Sequence, residues 1–120
     1  MNITTLEMSR GDSRRWNFAA TQNGAVYSLA GASLWFTAKK RITELDAVAI
    51  FQKTIGTGIT VTDAGNGLGY IELSPSDTSG LSAAKWNLEF DLQCKDSAGK
   101  IYTLAFGKLT VYPDVTITTS

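Results

Sequence analysis

The segment that decides the fold reads Trp86-Asn87-Leu88-Glu89-Phe90-Asp91-Leu92-Gln93-Cys94. Apolar residues occupy every even-numbered position, and polar residues occupy every odd-numbered position between them. Successive side chains of a β-strand point to opposite faces, so strict alternation is typical of a strand with one face in a core and one in water. The segment therefore predicts a half-buried strand with its even-numbered side chains inside.

Working outward, the same period of two recurs from Trp16 to Ala20 and from Leu34 to Ala38. Turn signals separate the segments, as in Arg10-Gly11-Asp12, where Gly11 is expected to have a positive φ, and in Gln22-Asn23-Gly24. Short helical turns are expected within Ser74–Leu81 and Arg41–Asp46. Further strands are predicted at Thr4–Met8, Val48–Gln52, Gly58–Thr62, Leu68–Leu73 and Ile101–Val111.

About eight short strands without a long amphipathic helix must bury their apolar faces against another sheet. The sequence thus predicts an all-β protein, an immunoglobulin-like antiparallel β-sandwich, with residues 1–120 forming a single domain. The expected core contains Trp16, Phe18, Phe36, Ile71, Leu73, Trp86, Leu88, Phe90 and Leu92.

Composition narrows the function classes. The 120 residues carry no net charge and are 43% hydrophobic, which suits one domain with its own core and offers no field to attract nucleic acid. The longest aliphatic or aromatic run, Ala47–Phe51, is too short to span a bilayer. The N-terminus lacks the basic and apolar regions of a signal peptide, and the single Cys94 fits synthesis in a reducing cytoplasm.

The chain has no histidine and one cysteine, so it lacks the commonest general base and any zinc constellation. Glu89 and Asp91 share one side of a strand, and we expect them on a solvated or inter-subunit face rather than in an active site. Cys94 is expected to be a small core residue. The sequence therefore predicts a protein that is not an enzyme, with no catalytic residue, cofactor or metal site.

The segment from Ile101 to Tyr112 does not alternate. Ile101, Ala105, Leu109 and Val111 lie on one side of an ideal strand, and Tyr102, Leu104, Phe106 and Tyr112 lie on the other. Trp35 likewise lies opposite the core side that Leu34 and Phe36 occupy. Exposed aromatic residues are typical of interaction sites, so an interface is predicted at Trp35, Tyr102, Phe106 and Tyr112. The alternatives are a bulge at Gly107 that switches the faces, or coverage by long side chains.

Several stretches in order also resemble a known family: Met8-Ser9-Arg10-Gly11-Asp12-Ser13, Ser28–Lys39, Ser74-Pro75-Ser76-Asp77-Thr78, Phe90–Gln93, Gly99–Leu104, Gly107–Val111 and Asp114-Val115-Thr116. They resemble small tailed-phage structural proteins related to the N-terminal domain of the lactococcal phage upper baseplate protein. The resemblance covers nearly the whole chain.

The resemblance implies an immunoglobulin-like building block of a virion, synthesised in the host bacterial cytoplasm. Because no stalk or receptor-binding domain follows before Ser120, a tail or baseplate adaptor or a decoration subunit is expected. Its partners would be other phage virion proteins in a symmetric assembly, with no nucleic acid and no membrane. The alternatives are a carbohydrate- or receptor-binding module, with Trp35 in a flat platform, and an enzyme or its accessory subunit.

Overall fold

The computed structural model describes residues 2–22, 24–41, 49–81 and 84–113. Within them the protein is all-β, as predicted, with no α-helix. Two short 3₁₀ helices occupy Ala64–Asn66 and Pro75–Asp77. The strands are β1 (Asn2–Ser9), β2 (Arg14–Ala19), β3 (Thr21–Gln22), β4 (Ala25–Val26), β5 (Ser33–Lys39), β6 (Phe51–Ile55), β7 (Gly58–Asp63), β8 (Leu68–Leu73), β9 (Trp86–Lys95) and β10 (Ile101–Tyr112).

Eight of these strands form one hydrogen-bonded ladder in the order β1-β10-β9-β5-β6-β7-β8-β2, and β3 pairs with β4 in a separate hairpin. The expectation of purely antiparallel strands is wrong at two places: β1 runs parallel to β10, and β6 runs parallel to β7. The first exception arises because the turn after β1 carries the chain to the opposite end of the ladder instead of into a hairpin. β1 therefore pairs with the last strand rather than with β2.

The ladder curls back on itself, so that β2 at one end lies against the inner side of β5. Trp16 of β2 lies 6.1 Å from Phe36 of β5, measured between ring centroids, although three strands of the ladder lie between them. Phe36 also contacts Phe51 of β6 at 5.7 Å and Phe90 of β9 at 5.5 Å. The interior is thus enclosed by strands from both halves of the ladder.

The alternation of β9 predicts its burial correctly. Leu88, Phe90, Leu92 and Cys94 are buried, and the residues between them are half-buried. Of the other predicted core residues, Trp16, Phe18 and Trp86 are only partly buried and pack against the core from its rim. The fully enclosed members from the remaining strands are Phe36, Ile71 and Leu73.

The corner between β6 and β7 is the weakest link of the ladder. These strands share only the pairs Thr54–Gly58 and Ile55–Ile59. Gly58 has a φ of +99°, and a Cβ there would lie 2.5 Å from the Cδ atom of Lys53, so only glycine fits. The Lys53 Nζ atom lies 2.7 Å from Asp77 Oδ1, and both side chains are largely buried. This ion pair ties the corner to the connection between β8 and β9.

The predicted turns are also found. Gly11 has the expected positive φ of 77°, and its N–H donates to the Oγ1 atom of the buried Thr78 at 2.8 Å. The helical turn expected within Ser74–Leu81 is the 3₁₀ helix at Pro75–Asp77. The turn expected within Arg41–Asp46 and the start of the Val48–Gln52 strand lie largely outside the described residues.

Replacing Phe90 by alanine should lower the free energy of unfolding by about 3–5 kcal/mol, because the ring fills the interior against Phe36. Replacing Glu89 should cost about 1 kcal/mol or less, since its carboxylate pairs with Lys108 at the surface. Chemical denaturation of both variants measures the two losses. Equal losses would show that the inward and outward faces of β9 are wrongly assigned.

Candidate functional site

The outward-facing residues of β5, β9 and β10 stand in rows across the sheet, and two neighbouring rows contain aromatic residues. In one row Trp35 of β5 pairs with Gln93 of β9, which pairs in turn with Thr103 of β10. In the other row, Thr37 pairs with Asp91, and Asp91 pairs with Phe106. The two aromatic residues therefore lie at opposite corners of a patch whose centre is the polar face of β9. We call this surface the Trp35 face.

The Trp35 face is concave. It holds a depression of about 660 Å³, in the size range of small-molecule sites. Its lining combines three aromatic residues with amides, hydroxyls and charged side chains. It consists of Trp35, Thr37, Lys39, Gln52, Glu89, Phe90, Asp91, Gln93, Ile101, Thr103, Phe106 and Gly107.

Polar contacts order the floor of this depression. The Gln52 Nε2 atom donates to Thr37 Oγ1 at 3.0 Å, and Thr37 is only 7% exposed although it points outward. At one rim the Nζ atom of Lys108 pairs with the Glu89 carboxylate. These contacts hold the side chains in place before any ligand arrives, which reduces the ordering cost of binding.

A bulge in β10 decides where its aromatic residues point. The pairing with β9 shifts between Thr103 and Ala105, so the side-chain alternation changes there. Before the bulge Tyr102 pairs with the buried Cys94, on the inner side, while Ile101 pairs with Lys95 and is 64% exposed. After the bulge Phe106 faces outward opposite Asp91.

The division of β10 expected for an ideal strand is therefore wrong before the bulge: Ile101 faces outward while Tyr102 faces inward, and Leu104 is buried. A bulge was considered as an alternative, but at Gly107, which pairs in register with Phe90. Of the predicted interface residues, Trp35 and Phe106 share one depression. Tyr102 does not line this depression and lies in a second one, described next. Tyr112 lines neither of the two; it is 37% exposed, with the Lys85 Nζ atom 5.6 Å from its ring centroid.

A second, smaller depression of about 300 Å³ lies between the β3–β4 hairpin and the start of β10. Its lining is Thr21, Gln22, Tyr27, Ile101, Tyr102, Thr103 and Leu104. The rings of Tyr27 and Tyr102 meet edge to face, with their centroids 5.7 Å apart. We call the exposed Ile101 together with Tyr102, Leu104 and Tyr27 the Ile101 patch. The sequence pattern missed Ile101 because only the bulge turns it outward.

Beside the Ile101 patch, Asp96 fastens the turn between β9 and β10. Its Oδ1 atom accepts the N–H groups of Lys100 at 2.9 Å and Ala98 at 3.0 Å, and its Oδ2 atom accepts the Tyr27 hydroxyl at 3.2 Å. The Lys100 N–H is the main cause that lowers the pKa of Asp96. Burial and the hydrogen bond to Asp96 raise the pKa of Tyr27 to about 12. Burial also raises the pKa of the Cys94 thiol.

The described residues contain no cluster of three or more carboxylate or thiol groups that could hold a metal ion. Cys94 is fully buried and its raised pKa keeps it protonated, which is unlike a reactive thiol.

Among the described segments, no helix is long and apolar enough to cross a membrane.

Comparison with known proteins adds no assignment. No protein-family model matches the chain, and no curated protein matches it.

Replacing Asp96 by asparagine should destabilise the protein at neutral pH, because the charged carboxylate accepts three hydrogen bonds. The pKa of Asp96 is lower in the folded protein than its ordinary value of 3.8. Its stabilisation is therefore complete above that ordinary value and is lost as the pH falls through the folded-state pKa. Melting temperatures should show a gap between the native protein and Asp96→Asn that is constant above the ordinary pKa of 3.8 and narrows as the pH falls below it. A gap independent of pH would contradict the proposed role of the charge.

Proposed function

We propose that the curled ladder is an immunoglobulin-like sandwich. Such a fold places strands A, B, E and D in one sheet and C, F and G in the other. If the ladder strands are lettered in chain order, with β6 as an additional strand after C, then β2-β8-β7 corresponds to B-E-D and β5-β9-β10 to C-F-G. β1 departs from this pattern, since it pairs with the G strand. The two-pair link between β6 and β7 would then be the boundary between the sheets.

We further propose that the protein is a structural subunit of a bacteriophage virion, a tail or baseplate adaptor or a decoration subunit. The ordered turn and strand segments that resemble tailed-phage proteins support this role. So does the lack of histidine, which leaves little material for a catalytic centre. Its place would be the virion, and its partners other virion proteins in a symmetric assembly.

The Ile101 patch carries the docking part of this proposal. Ile101 is a large aliphatic residue that is 64% exposed, and it borders an apolar depression with the paired rings of Tyr27 and Tyr102. An exposed aliphatic side chain beside a ready apolar recess resembles the anchor regions of protein interfaces, where a few buried residues supply most of the binding energy.

The virion role predicts that the protein is a stoichiometric component of particles. Antibody raised against the chain should label purified tailed particles from the source culture at one defined location in electron micrographs. Chain found only in the particle-free fraction of the lysate would contradict the proposal.

The docking surface is tested by Ile101→Ser. In particles assembled with this variant, incorporation should fall about tenfold or more because the apolar anchor is lost. Ile55→Ser is the matched control, since Ile55 is also an exposed aliphatic residue, 43% exposed, and lines neither depression. The control should incorporate normally. Equal incorporation of both variants would exclude the Ile101 patch as the docking surface.

A further inference from the structure

We propose that the Trp35 face is a binding site for a neutral oligosaccharide. This inference goes beyond the virion role, which uses the Ile101 patch. Trp35 and Gln93 line only the larger depression, although Ile101 and Thr103 border both. The site can therefore be tested separately from docking.

The first argument is the arrangement of aromatic and polar groups. A sugar ring has an apolar face of C–H groups and a rim of hydroxyls, so it suits an aromatic ring beside planar hydrogen-bonding side chains. Trp35 supplies the ring. Its direct neighbour across the strands is Gln93, whose amide can both donate to and accept from a hydroxyl. The indole has Thr54 of β6 on its other side.

The second argument is length. Trp35 and Phe106 lie two strands and two residues apart, which places their backbones about 12 Å from one another by ordinary sheet spacing. Between them stand the polar side chains of Gln93 and Asp91. Two aromatic surfaces separated by hydrogen-bonding groups fit an extended ligand with a repeating unit better than a single compact one.

The third argument is charge. The lining carries the carboxylates of Glu89 and Asp91 and the ammonium group of Lys39, and Lys108 pairs with Glu89 at the rim. These two negative and two positive side chains balance, so neither a polyanion, such as a sulfated glycan or a nucleic acid, nor a polycation meets an excess of opposite charge there. The lining therefore favours a neutral ligand.

The fourth argument separates a saccharide from a protein partner. The centre of a protein interface is depleted of charged residues, and its polar groups lie at the rim. The Trp35 face has the opposite arrangement, with Asp91 and Gln93 in the middle and aromatic residues at two corners. This distribution is the one expected when the ligand itself presents hydroxyls throughout.

The test is an array of neutral oligosaccharides built from glucose, galactose, rhamnose and N-acetylglucosamine, printed beside sialylated, sulfated and uronic-acid glycans. We expect the purified chain to bind one or more neutral oligosaccharides and none of the acidic ones. Calorimetric titration with the best neutral oligosaccharide then gives the affinity. Binding to no glycan, or to acidic glycans alone, would overturn the proposal.

Variants place the binding on the Trp35 face. Trp35→Ala should lower the affinity about tenfold or more, since it removes the stacking surface, and Trp35→Phe should keep part of the binding. Gln93→Ala should lower the affinity up to about tenfold through a lost hydrogen bond. It replaces Trp35→Ala as the test variant if Trp35→Ala has a lowered melting temperature. Tyr112→Ala, an aromatic outside both depressions, should bind like the native chain.

Two other outcomes would also overturn the proposal. Unchanged saccharide binding in both Trp35→Ala and Gln93→Ala would move the site away from this face. If the native chain binds no glycan and Trp35→Ala is not incorporated into particles, the ligand of the Trp35 face is a protein. Neither outcome depends on the result for Ile101→Ser, so failure of the saccharide site and failure of the docking patch can be told apart.

Discussion

The enclosure of the Phe36 ring is the constraint on which the rest of the structure depends. Phe36 is 1% exposed, and it contacts rings contributed by β2, β6 and β9. A hydrogen-bonded ladder of this length can exclude water from that ring only by curling until β2, at one end, covers the inner side of β5. The tight corner between β6 and β7, with Gly58 and the Lys53–Asp77 ion pair, follows from this requirement. Burial of the apolar residues around Phe36 supplies the main driving force for the curl.

The same constraint leaves an outer face free for binding. Once Leu34 and Phe36 point inward, Trp35 must point outward, and Gln93 and Asp91 follow because their strand is in register with β5. A large aromatic residue on the outer face is not required by the interior, which is why we assign the surface to binding. The bulge in β10 then divides its residues, turning Tyr102 toward Tyr27 and Phe106 toward the Trp35 face. Docking through Ile101 and saccharide binding at Trp35 thus become separable proposals on adjoining surfaces.

The local alternation of apolar and polar residues was sufficient to predict the buried side of a strand wherever that strand keeps one register along its length. The alternation from Trp86 to Cys94 predicted which side of β9 is buried, and Gly11 was correctly expected to have a positive φ. The pattern failed from Ile101 to Tyr112 because the position of a bulge depends on the partner strand, which no local period encodes. The pattern also overstated the burial of Trp16 and Phe18. β2 is an edge strand of the ladder, so its inward residues lie at the rim of the core. The parallel pairing of β1 with β10 joins opposite ends of the chain, so sequence spacing could not reveal it.

The division between an enclosed Phe36 side and an outer Trp35 side is tested most directly by comparing two free energies of unfolding. We expect the double variant Trp35→Ser/Phe106→Ser to lose less stability than Phe36→Ala, for which the expected loss is about 3–5 kcal/mol. Chemical denaturation of the isolated protein measures both values. A loss in the double variant as large as that of Phe36→Ala would place Trp35 and Phe106 in the core and contradict the account.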